Sequence, residues 1–265
     1  MLTMKYYPPR YLLRRYEILR HVRPGKQFLE IGAGGLELSL ELLNVFATGK
    51  AIDFSRGSLL LYERLANNIK RRLQFELTDI DNIKNDTQFD CIVSCEVMEH
   101  IEDDKKFLAG IFSRLKSKGQ VILSVPAHGK FWSIHDEITG HIRRYERNQL
   151  LDLLKKNGFE NIQVIAYGFP FINMLRWLRV CYATRQAEVK RHWDRGEQTR
   201  KSGIDHLPAQ FSWLGLLINP CTFLPLNWLA RLFNKTDLSE GYIVVADKPG
   251  QHEETKPIPT QVSTP

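Results

Sequence analysis

The sequence predicts an α/β protein built on a mostly parallel sheet with helices on both faces. Short apolar runs typical of buried strands alternate with longer segments whose apolar residues recur at helical spacing. Such alternation covers both faces of a sheet, as parallel strands require. The 265 residues, 43% hydrophobic and 25% charged, suffice for one large domain with an embellishment or for two small ones.

The elements follow one another regularly from the N-terminus. A helix is predicted over Pro9–His21, and five strand-like runs follow: QFLEI (27–31), KAID (50–53), LQFEL (73–77), FDCIVS (89–94) and GQVILSV (119–125). Helices are predicted between them at 36–46, 58–71 and 104–116, the last with Phe107, Leu108, Ile111 and Leu115 on one face. A further helix in ERNQLLDLLKKNGF ends with Gly158 as its C-cap, and NIQVIAYGF predicts a sixth strand.

The regular pattern ends after residue 169, which predicts a helical insert at 170–240. The insert begins with a basic amphipathic helix, continues through DRGEQTRKSGIDHLP and ends in the proline-interrupted apolar segment FSWLGLLINPCTFLPLNWLARLF. A last strand at 241–248 then rejoins the domain formed by residues 1–169. Residues 249–265 are rich in Pro, Thr and Gln and have little to bury, so a disordered tail is predicted.

Charge and cysteine content narrow the functional classes. The net charge is +7 and the pI is near 9.2, and segment 176–201 alone holds eight basic and three acidic residues. The four cysteines form no CxxC pair, the N-terminus lacks the apolar core of a secretory signal, and no segment approaches about 18 consecutive apolar residues. These features predict a cytoplasmic location, with contact at the inner face of a membrane as a further option.

A glycine-rich corner joins the first strand to the first helix of the sheet. In FLEIGAGGLELSLELL, Glu30 precedes Gly32, Gly34 and Gly35. Bare backbone at such a corner lets a ligand approach closely, and a dinucleotide and S-adenosylmethionine are the two main possibilities. A plain turn, with glycines only for clearance, is the alternative.

Three acids lie where the predicted strands lead into this edge. Asp53 ends the second strand, where a carboxylate can accept ribose hydroxyls, and Asp79 follows the third strand, placed for a purine amine. Glu30 stands beside the glycines, where its charge repels a pyrophosphate and attracts an amino acid with a cationic sulfonium. The charge pattern therefore favours S-adenosylmethionine over a dinucleotide.

Six segments in this order resemble class I S-adenosylmethionine-dependent methyltransferases of the small-molecule, lipid and quinone group: FLEIGAGGLELSLELL, AIDFS, LTDI, FDCIVSCEVMEHIEDD, KSKGQVILSVPAH and GHIRRYERNQLLDLLKKNGF. The resemblance implies a Rossmann-like sheet of seven strands whose last strand is antiparallel, and a catalytic domain made of 1–169 and 241–248. It implies that the cofactor is held by Glu30, Gly32, Gly34, Asp53 and Asp79 and bordered by the turn from Ser94 to Glu96. One departure is Leu36, which stands where the family usually has a third glycine.

Histidines after the fourth and fifth strands are the candidates for activating a methyl acceptor. Methyl transfer to a hydroxyl needs alignment and proton removal, and histidine titrates in the suitable range. His141 is the first choice as base or orienting group, then His128 or His135, with packing roles as the alternative; His100 also qualifies by position. Arg143 and Arg144 beside His141 either neutralise an anionic acceptor or are simply solvated.

The EVMEH segment raises the question of a metal. Glu96, Glu99 and His100 stand at i, i+3 and i+4, so one helical turn would place them together, as a hard divalent ion would require. Similar residues are assigned a metal in the quinone O-methyltransferases that the chain resembles. Helix-capping acids with a packed histidine explain the same pattern, and no metal is predicted.

The insert has several possible roles. Phe171, Met174, Leu175, Leu178 and Tyr182 share one predicted helical face, with Arg176, Arg179 and Arg185 off it. The large apolar residues at 213, 214, 217, 223, 226, 228, 229 and 233 indicate core or lid packing, an apolar substrate pocket, or peripheral membrane contact through 171–233.

The predicted function is transfer of a methyl group to oxygen or nitrogen of a small, lipophilic acceptor. An RNA or DNA methyltransferase is an alternative prompted by the basic segment. It is disfavoured because strand four ends in SCEV and no RNA-binding pattern of basic and aromatic residues is present. A non-catalytic cofactor-binding regulator, suggested by Leu36, and a nicotinamide oxidoreductase, disfavoured by Glu30, are the remaining alternatives.

Overall fold

The structure is a computed structural model that describes residues 7–83, 87–190 and 217–250, with the side chains of 186–190 excepted. Three features predicted from the sequence lie outside the described residues. They are the polar stretch DRGEQTRKSGIDHLP, the apolar residues Trp213 and Leu214, and nearly all of the tail predicted to be disordered.

Within the described residues, seven strands form one sheet in the order β3-β2-β1-β4-β5-β7-β6. The strands are β1 (Gly25–Ile31), β2 (Phe46–Asp53), β3 (Leu73–Leu77), β4 (Phe89–Cys95), β5 (Leu115–Pro126), β6 (Glu160–Ala166) and β7 (Gly241–Asp247). Strands β1 to β5 pair in parallel, and β7 runs antiparallel between β5 and β6. The predicted fold, a mostly parallel sheet with an antiparallel last strand, is confirmed.

The helices lie close to their predicted places, with shorter bounds. They are α1 (Pro9–His21), α2 (Glu37–Leu42), α3 (Arg56–Glu63), α4 (Asn67–Lys70), α5 (Asp104–Arg114), α6 (Ile134–Thr139), α7 (Arg147–Lys156), α8 (Phe171–Lys190) and α9 (Leu224–Ala230). The helix predicted at 36–46 ends early because Phe46 opens β2 and packs its ring on Phe28, 5.5 Å away. The helix predicted at 58–71 is two helices, separated where Ala66 adopts an extended conformation.

Both faces of the sheet are buried, as the alternation of elements predicts. Successive residues of β1 point to opposite sides, so Leu29 and Ile31 join one apolar cluster and Phe28 joins the other. Helices α5 and α7 cover the first cluster, and α1 and α2 cover the second. The sheet thus holds its carboxyl edge rigidly between two packed layers.

The apolar face predicted for the insert helix α8 is largely exposed. Met174, Leu178 and Tyr182 of that face are exposed, and Trp177 beside them is 70% exposed, whereas Phe171 and Leu175 are half-buried. The off-face residue Arg179 instead turns inward and binds the carboxylate of Glu240, which is fully buried. The long-range ion pair decides the rotation of the helix, and periodicity alone could not reveal it.

Helix α8 packs against α6 at the cavity side of the sheet. Ile172 and Ala183 are its fully buried apolar residues among those described. In the described part of the chain, none of the helices combines the length and the apolarity that crossing a bilayer demands.

Candidate active site

A cavity of about 780 Å³ opens at the carboxyl ends of β1, β2 and β4. This is the edge where ligands bind in open α/β sheets. Helix α1 forms one wall through Arg10, Tyr11 and Arg14, with Tyr7 just before it, and α8 contributes Arg179. The volume lies in the range of pockets for ligands of cofactor size.

The glycine corner lines this cavity and uses its own amides internally. The N–H groups of Gly32 and Ala33 donate to Ile52 O at 2.9 and 3.2 Å, and that of Gly34 donates to Asp53 Oδ2 at 2.7 Å. A Cβ on Gly32 would lie 2.3 Å from Val97 Cγ2, and its φ is +75°. Because these amides already have acceptors, the corner does not offer them to a pyrophosphate.

The structure explains why a leucine can stand at position 36, where the family usually has a third glycine. It precedes α2 with φ +65°, a conformation that glycine adopts more easily, and its side chain is 1% exposed. The chain accepts a strained backbone here because the leucine fills the apolar layer beneath α1 and α2.

Glu30 is a buried acid at the cavity wall. It is 3% exposed and accepts a hydrogen bond from Ser39 Oγ. Burial raises the pKa of Glu30 to about 8, the Ser39 hydrogen bond opposes this, and Glu37 and Asp53 raise the pKa further. Such a carboxyl favours a cationic neighbour, because only a cation would compensate the charge of its ionised form.

Asp53 and Asp79 line the same cavity. Asp53 holds the corner by accepting from the amides of Gly34 and Ser55, both at 2.7 Å, and Asp79 accepts from the Asn82 amide at 3.0 Å. A carboxylate has about four lone-pair sites, so these bonds leave acceptor capacity toward a ligand. The structure therefore brings the three predicted acids to one cavity.

In the segment from Ser94 to Glu96 at the end of β4, Cys95 and Glu96 line the cavity and Ser94 does not. Glu96 lines the cavity with φ +55° and binds Arg10 at 2.9 Å, Arg14 at 3.4 Å and Ser124 Oγ at 2.6 Å. Burial would raise its pKa, but Arg10 and Arg14 outweigh burial and hold the pKa of Glu96 at about 2. Ser94, predicted to border the cofactor, is buried and does not line the cavity.

His135 and His141 line the cavity, as does His100, but His128 does not. His128 is 5% exposed and its ring nitrogens bind Glu146 at 2.8 Å and both Asp237 O and Tyr242 Oη at 2.9 and 3.0 Å. These contacts tie β5 to β7 and the loop before it. The interpretation of His128 as a base is corrected accordingly: its ring is a structural link outside the cavity.

His141 is held by a carboxylate that the sequence did not single out. Its Nδ1–H donates to Asp136 Oδ1 at 2.9 Å, which leaves Nε2 as the acceptor nitrogen. Asp136 is fully buried and is also bound by Arg144 Nε at 2.8 Å and Nη2 at 2.9 Å. Burial would raise the pKa of Asp136, but the hydrogen bonds from His141 and Arg144 lower it well below its usual range.

Three comparisons place this geometry among known proteins. A family model described as a methyltransferase domain matches residues 4–164, more than half of the chain. The chain belongs to this methyltransferase family. The class I resemblance predicted from the six segments is thereby confirmed.

Two kinds of methyltransferase are among the curated proteins that this chain resembles. A mitochondrial ubiquinone biosynthesis O-methyltransferase from Schizosaccharomyces pombe is 29% identical over 40% of this chain and 39% of its own length. Phosphoethanolamine N-methyltransferase 2 from Caenorhabditis elegans is 28% identical over 53% of this chain and 34% of its own length. The chain thus spans about two fifths or less of these relatives.

A solved structure of a methyltransferase has a similar fold. Phosphoethanolamine N-methyltransferase 2 from Haemonchus contortus, in complex with phosphomonomethylethanolamine and S-adenosylhomocysteine, superposes with a TM-score of 0.57 at 19% identity. The match covers 92% of this chain and 54% of that one. At this identity the likeness shows a shared fold.

In this chain the EVMEH acids do not act as one group. Glu96 turns to the arginines of α1, whereas Glu99 is fully buried and its two carboxyl oxygens have no hydrogen-bond partner among the described residues. Within that part of the chain, Glu99, His100 and His141 each offer a ligand atom, all within 4.8 Å of one another. Burial, and then Glu96, raise the pKa of Glu99 well above its usual value.

Among the described residues, the group that could hold a metal ion is therefore Glu99, His100 and His141, and not the helical turn of Glu96, Glu99 and His100 considered from the sequence. Residues Met98–His100 form a 3₁₀ turn, and His100 Nδ1 lies 3.2 Å from Gly140 O. His141, forty-one residues beyond His100 in the sequence, takes the place that periodicity assigned to Glu96. The spacing of the EVMEH segment could not reveal a ligand atom supplied by a distant loop.

Proposed function

We propose that this protein is an enzyme that transfers a methyl group from S-adenosylmethionine to oxygen or nitrogen of a small, lipophilic acceptor. The single observation that carries the proposal is the lining of one cavity by Glu30, Asp53 and Asp79 over a glycine corner, in a chain of the methyltransferase family. The curated relatives that act on quinone precursors and on phosphoethanolamine support a small-molecule acceptor.

The residues present fit S-adenosylmethionine better than a dinucleotide. Glu30 faces a cationic amine, Asp53 the ribose hydroxyls and Asp79 the purine amine, with Gly32 and Gly34 giving clearance and Glu96 bordering the methionine end. The internally bonded amides of the corner argue against a pyrophosphate. When bound, this cofactor supplies an electrophilic methyl group for in-line displacement.

His141 is proposed as the group that accepts a proton from the acceptor. Its Nδ1–H bond to Asp136 fixes the tautomer in which Nε2 is the basic nitrogen, and it stabilises the imidazolium that forms. Nε2 lies 3.7 Å from Glu99 Oε1 in a side chain that is 6% exposed, so an acceptor must reach it from the cavity that His141 lines. Asp136 is a positioning residue, because it acts through His141. His135 also lines the cavity, but burial, Arg179 and Arg10 lower its pKa to about 3, which weakens it as a base near neutral pH.

The lipophilic character of the acceptor and a peripheral membrane contact are supported by the exposed side of the insert. Met174 and Trp177 of α8 are 71% and 70% exposed, and Trp228 of α9 and Leu232 in the 3₁₀ turn after it are 64% and 65% exposed. Tryptophans and leucines exposed on helices of a basic protein suit the interface of an anionic bilayer. We propose a cytoplasmic enzyme that docks this side on the inner face of the membrane.

Two measurements test the proposed function. Thermal denaturation of the purified protein with S-adenosylhomocysteine, and separately with NADH, distinguishes the two cofactors: stabilisation by S-adenosylhomocysteine alone is expected. Labelled S-adenosylmethionine added with a membrane extract is then expected to mark an organic-soluble product. Stabilisation without any labelled product in lipid, soluble or nucleic-acid fractions would favour a cofactor-binding regulator instead.

A further inference from the structure

Two arginines of α1 share one carboxylate where α1 and the end of β4 line the cavity. Arg10 Nη2 and Arg14 Nη1 lie 2.9 and 3.4 Å from the two oxygens of Glu96. Both side chains are less than one fifth exposed, so water screens their charges only in part. This group therefore carries one more positive than negative charge.

Two arginines of α8 repeat the arrangement from another wall. Arg179 Nη2 binds Glu240 Oε1 closely, and Arg176 Nε lies 3.7 Å from Oε2 of the same carboxylate. Glu240 is fully buried, and Arg179 lines the cavity. Burial lowers the pKa of Arg179, and Arg10 lowers it further, so the two guanidiniums lie close enough to repel each other.

The other arginines near the acceptor end are paired one to one. Arg143 binds Asp104 at 2.8 Å, and Arg144 makes a two-point contact with Asp136. Neither of these arginines lines the cavity, so the sequence-based suggestion that they neutralise an anionic acceptor moves to other residues. The uncompensated charge belongs to Arg10 and Arg179 with their neighbours.

A half-buried histidine, His135, is subject to the charges of the same two arginines. Its ring lines the cavity near Arg10 and Arg179. Burial lowers the pKa of His135, and the charges of Arg179 and then Arg10 lower it further, to about 3. The arginine charges that act on His135 would attract a negative ligand at the same place.

We propose that Arg10 and Arg179 bind an anionic group of the methyl acceptor, a carboxylate or a phosphate. A guanidinium presents a planar set of donors that matches either group with two parallel hydrogen bonds. The inference rests on the proposed function, because it assigns this end of the cavity to the acceptor. Helix α8 carries Arg179 on its inner side and Trp177 on its outer side, which suits an acceptor with an acidic head and an apolar body.

Binding of matched probes tests the proposal. Benzoate and phenyl phosphate carry the anion, and benzamide has the shape of benzoate without the charge. Calorimetry in the presence of S-adenosylhomocysteine is expected to show both anions binding and benzamide failing to bind. Arg179→Gln is expected to weaken the anions by about tenfold or more, since a hydrogen bond to a charged group is lost.

Control variants separate the charge from the fold. Arg185→Gln removes an exposed arginine of the same helix and should leave anion binding unchanged. Arg179→Lys keeps the charge and should recover part of the affinity lost in Arg179→Gln. Should Arg179→Gln fail to fold, the native protein still decides: anion binding must weaken as sodium chloride is added. Equal binding of benzoate and benzamide, or an anion affinity unchanged in Arg179→Gln, overturns the proposal.

Competition with vesicles identifies the source of the anion. Phosphatidylcholine vesicles containing phosphatidic acid are added to the protein with bound phenyl phosphate. Displacement of the phenyl phosphate would assign the site to a lipid headgroup, and no displacement would assign it to a free acid. Binding of S-adenosylhomocysteine is measured separately. If it is absent while Arg179-dependent anion binding persists, the proposed function fails and the anion site stands.

Discussion

Glu30 offers a test of the cofactor site through pH. Its carboxyl is 3% exposed, and burial raises its pKa from 4.5 to about 8. The folded chain therefore keeps a proton on Glu30 over a pH range in which the unfolded chain has released it. By linkage, the contribution of Glu30 to the free energy of unfolding falls as the pH rises from 4.5 towards 8.

A Glu30→Gln variant keeps the shape of the side chain and cannot titrate. Each pH unit inside the window is worth about 1.4 kcal/mol. The unfolding free energy of the variant relative to the native protein should therefore rise by about 3 to 4 kcal/mol between about pH 5 and about pH 8. Urea titrations at the two pH values measure this difference.

Glu63→Gln is the matched control, because Glu63 is an exposed acid outside the cavity. Its stability relative to the native protein should change little across the same range. Parallel pH dependences for Glu30→Gln and the native protein would show that the Glu30 carboxyl is ionised in the folded state, and the reasoning from burial would be refuted.

The same ionisation is linked to cofactor binding. An ammonium group beside Glu30 favours the carboxylate, so binding should release a proton and strengthen as the pH rises towards about 8. Calorimetry with S-adenosylhomocysteine in two buffers of different ionisation enthalpy measures the proton released. Glu30→Gln should bind more weakly and release none.

The remaining predictions concern single residues. Asp53→Ala should weaken S-adenosylhomocysteine by about tenfold to a hundredfold, because a charge-assisted contact is lost and the Gly34 amide loses its acceptor; calorimetry measures it, and an unchanged affinity contradicts it. His141→Gln should lower kcat by about a hundredfold or more with cofactor affinity unchanged. His128→Gln should lower the Tm instead and spare kcat, and the reverse pattern would exchange their roles. Leu36→Gly should relieve about 1 kcal/mol of backbone strain but lose about 2 to 5 kcal/mol of burial, a net destabilisation measurable by urea titration; a more stable variant would show that the leucine contributes little.

Much of the fold and the cofactor site could be predicted because each depends on local signals. The apolar runs of β1 to β5 and the periodicity of α5 are properties of neighbouring residues. Parallel strands place their carboxyl ends at one edge of the sheet, so acids that follow different strands had to approach one another there. Glu30, Asp53 and Asp79 were found in this way, without knowledge of a single contact.

Distant partners made the other predictions fail or stay incomplete. The inward rotation of α8 depends on Glu240, sixty-one residues beyond Arg179. The role of Asp136 depends on its hydrogen bond to His141, which follows α6 in the chain. The residues next to Asp136 in the sequence do not distinguish it from other acids. His128, like His141, is a histidine in the segment between β5 and α7, yet its ring binds Tyr242 and Asp237 and lies outside the cavity.

The sequence by itself determined the order of the elements, the glycine corner and the acids that reach it, because periodicity and strand polarity act over a few residues. Only the tertiary structure decided which charges meet across the cavity. Arg10 and Glu96 are separated by 86 positions in the chain, and Arg179 and Glu240 by 61. Ion pairing in a buried site depends on distances of a few ångströms in space, and these are set by the packing of helices on the sheet.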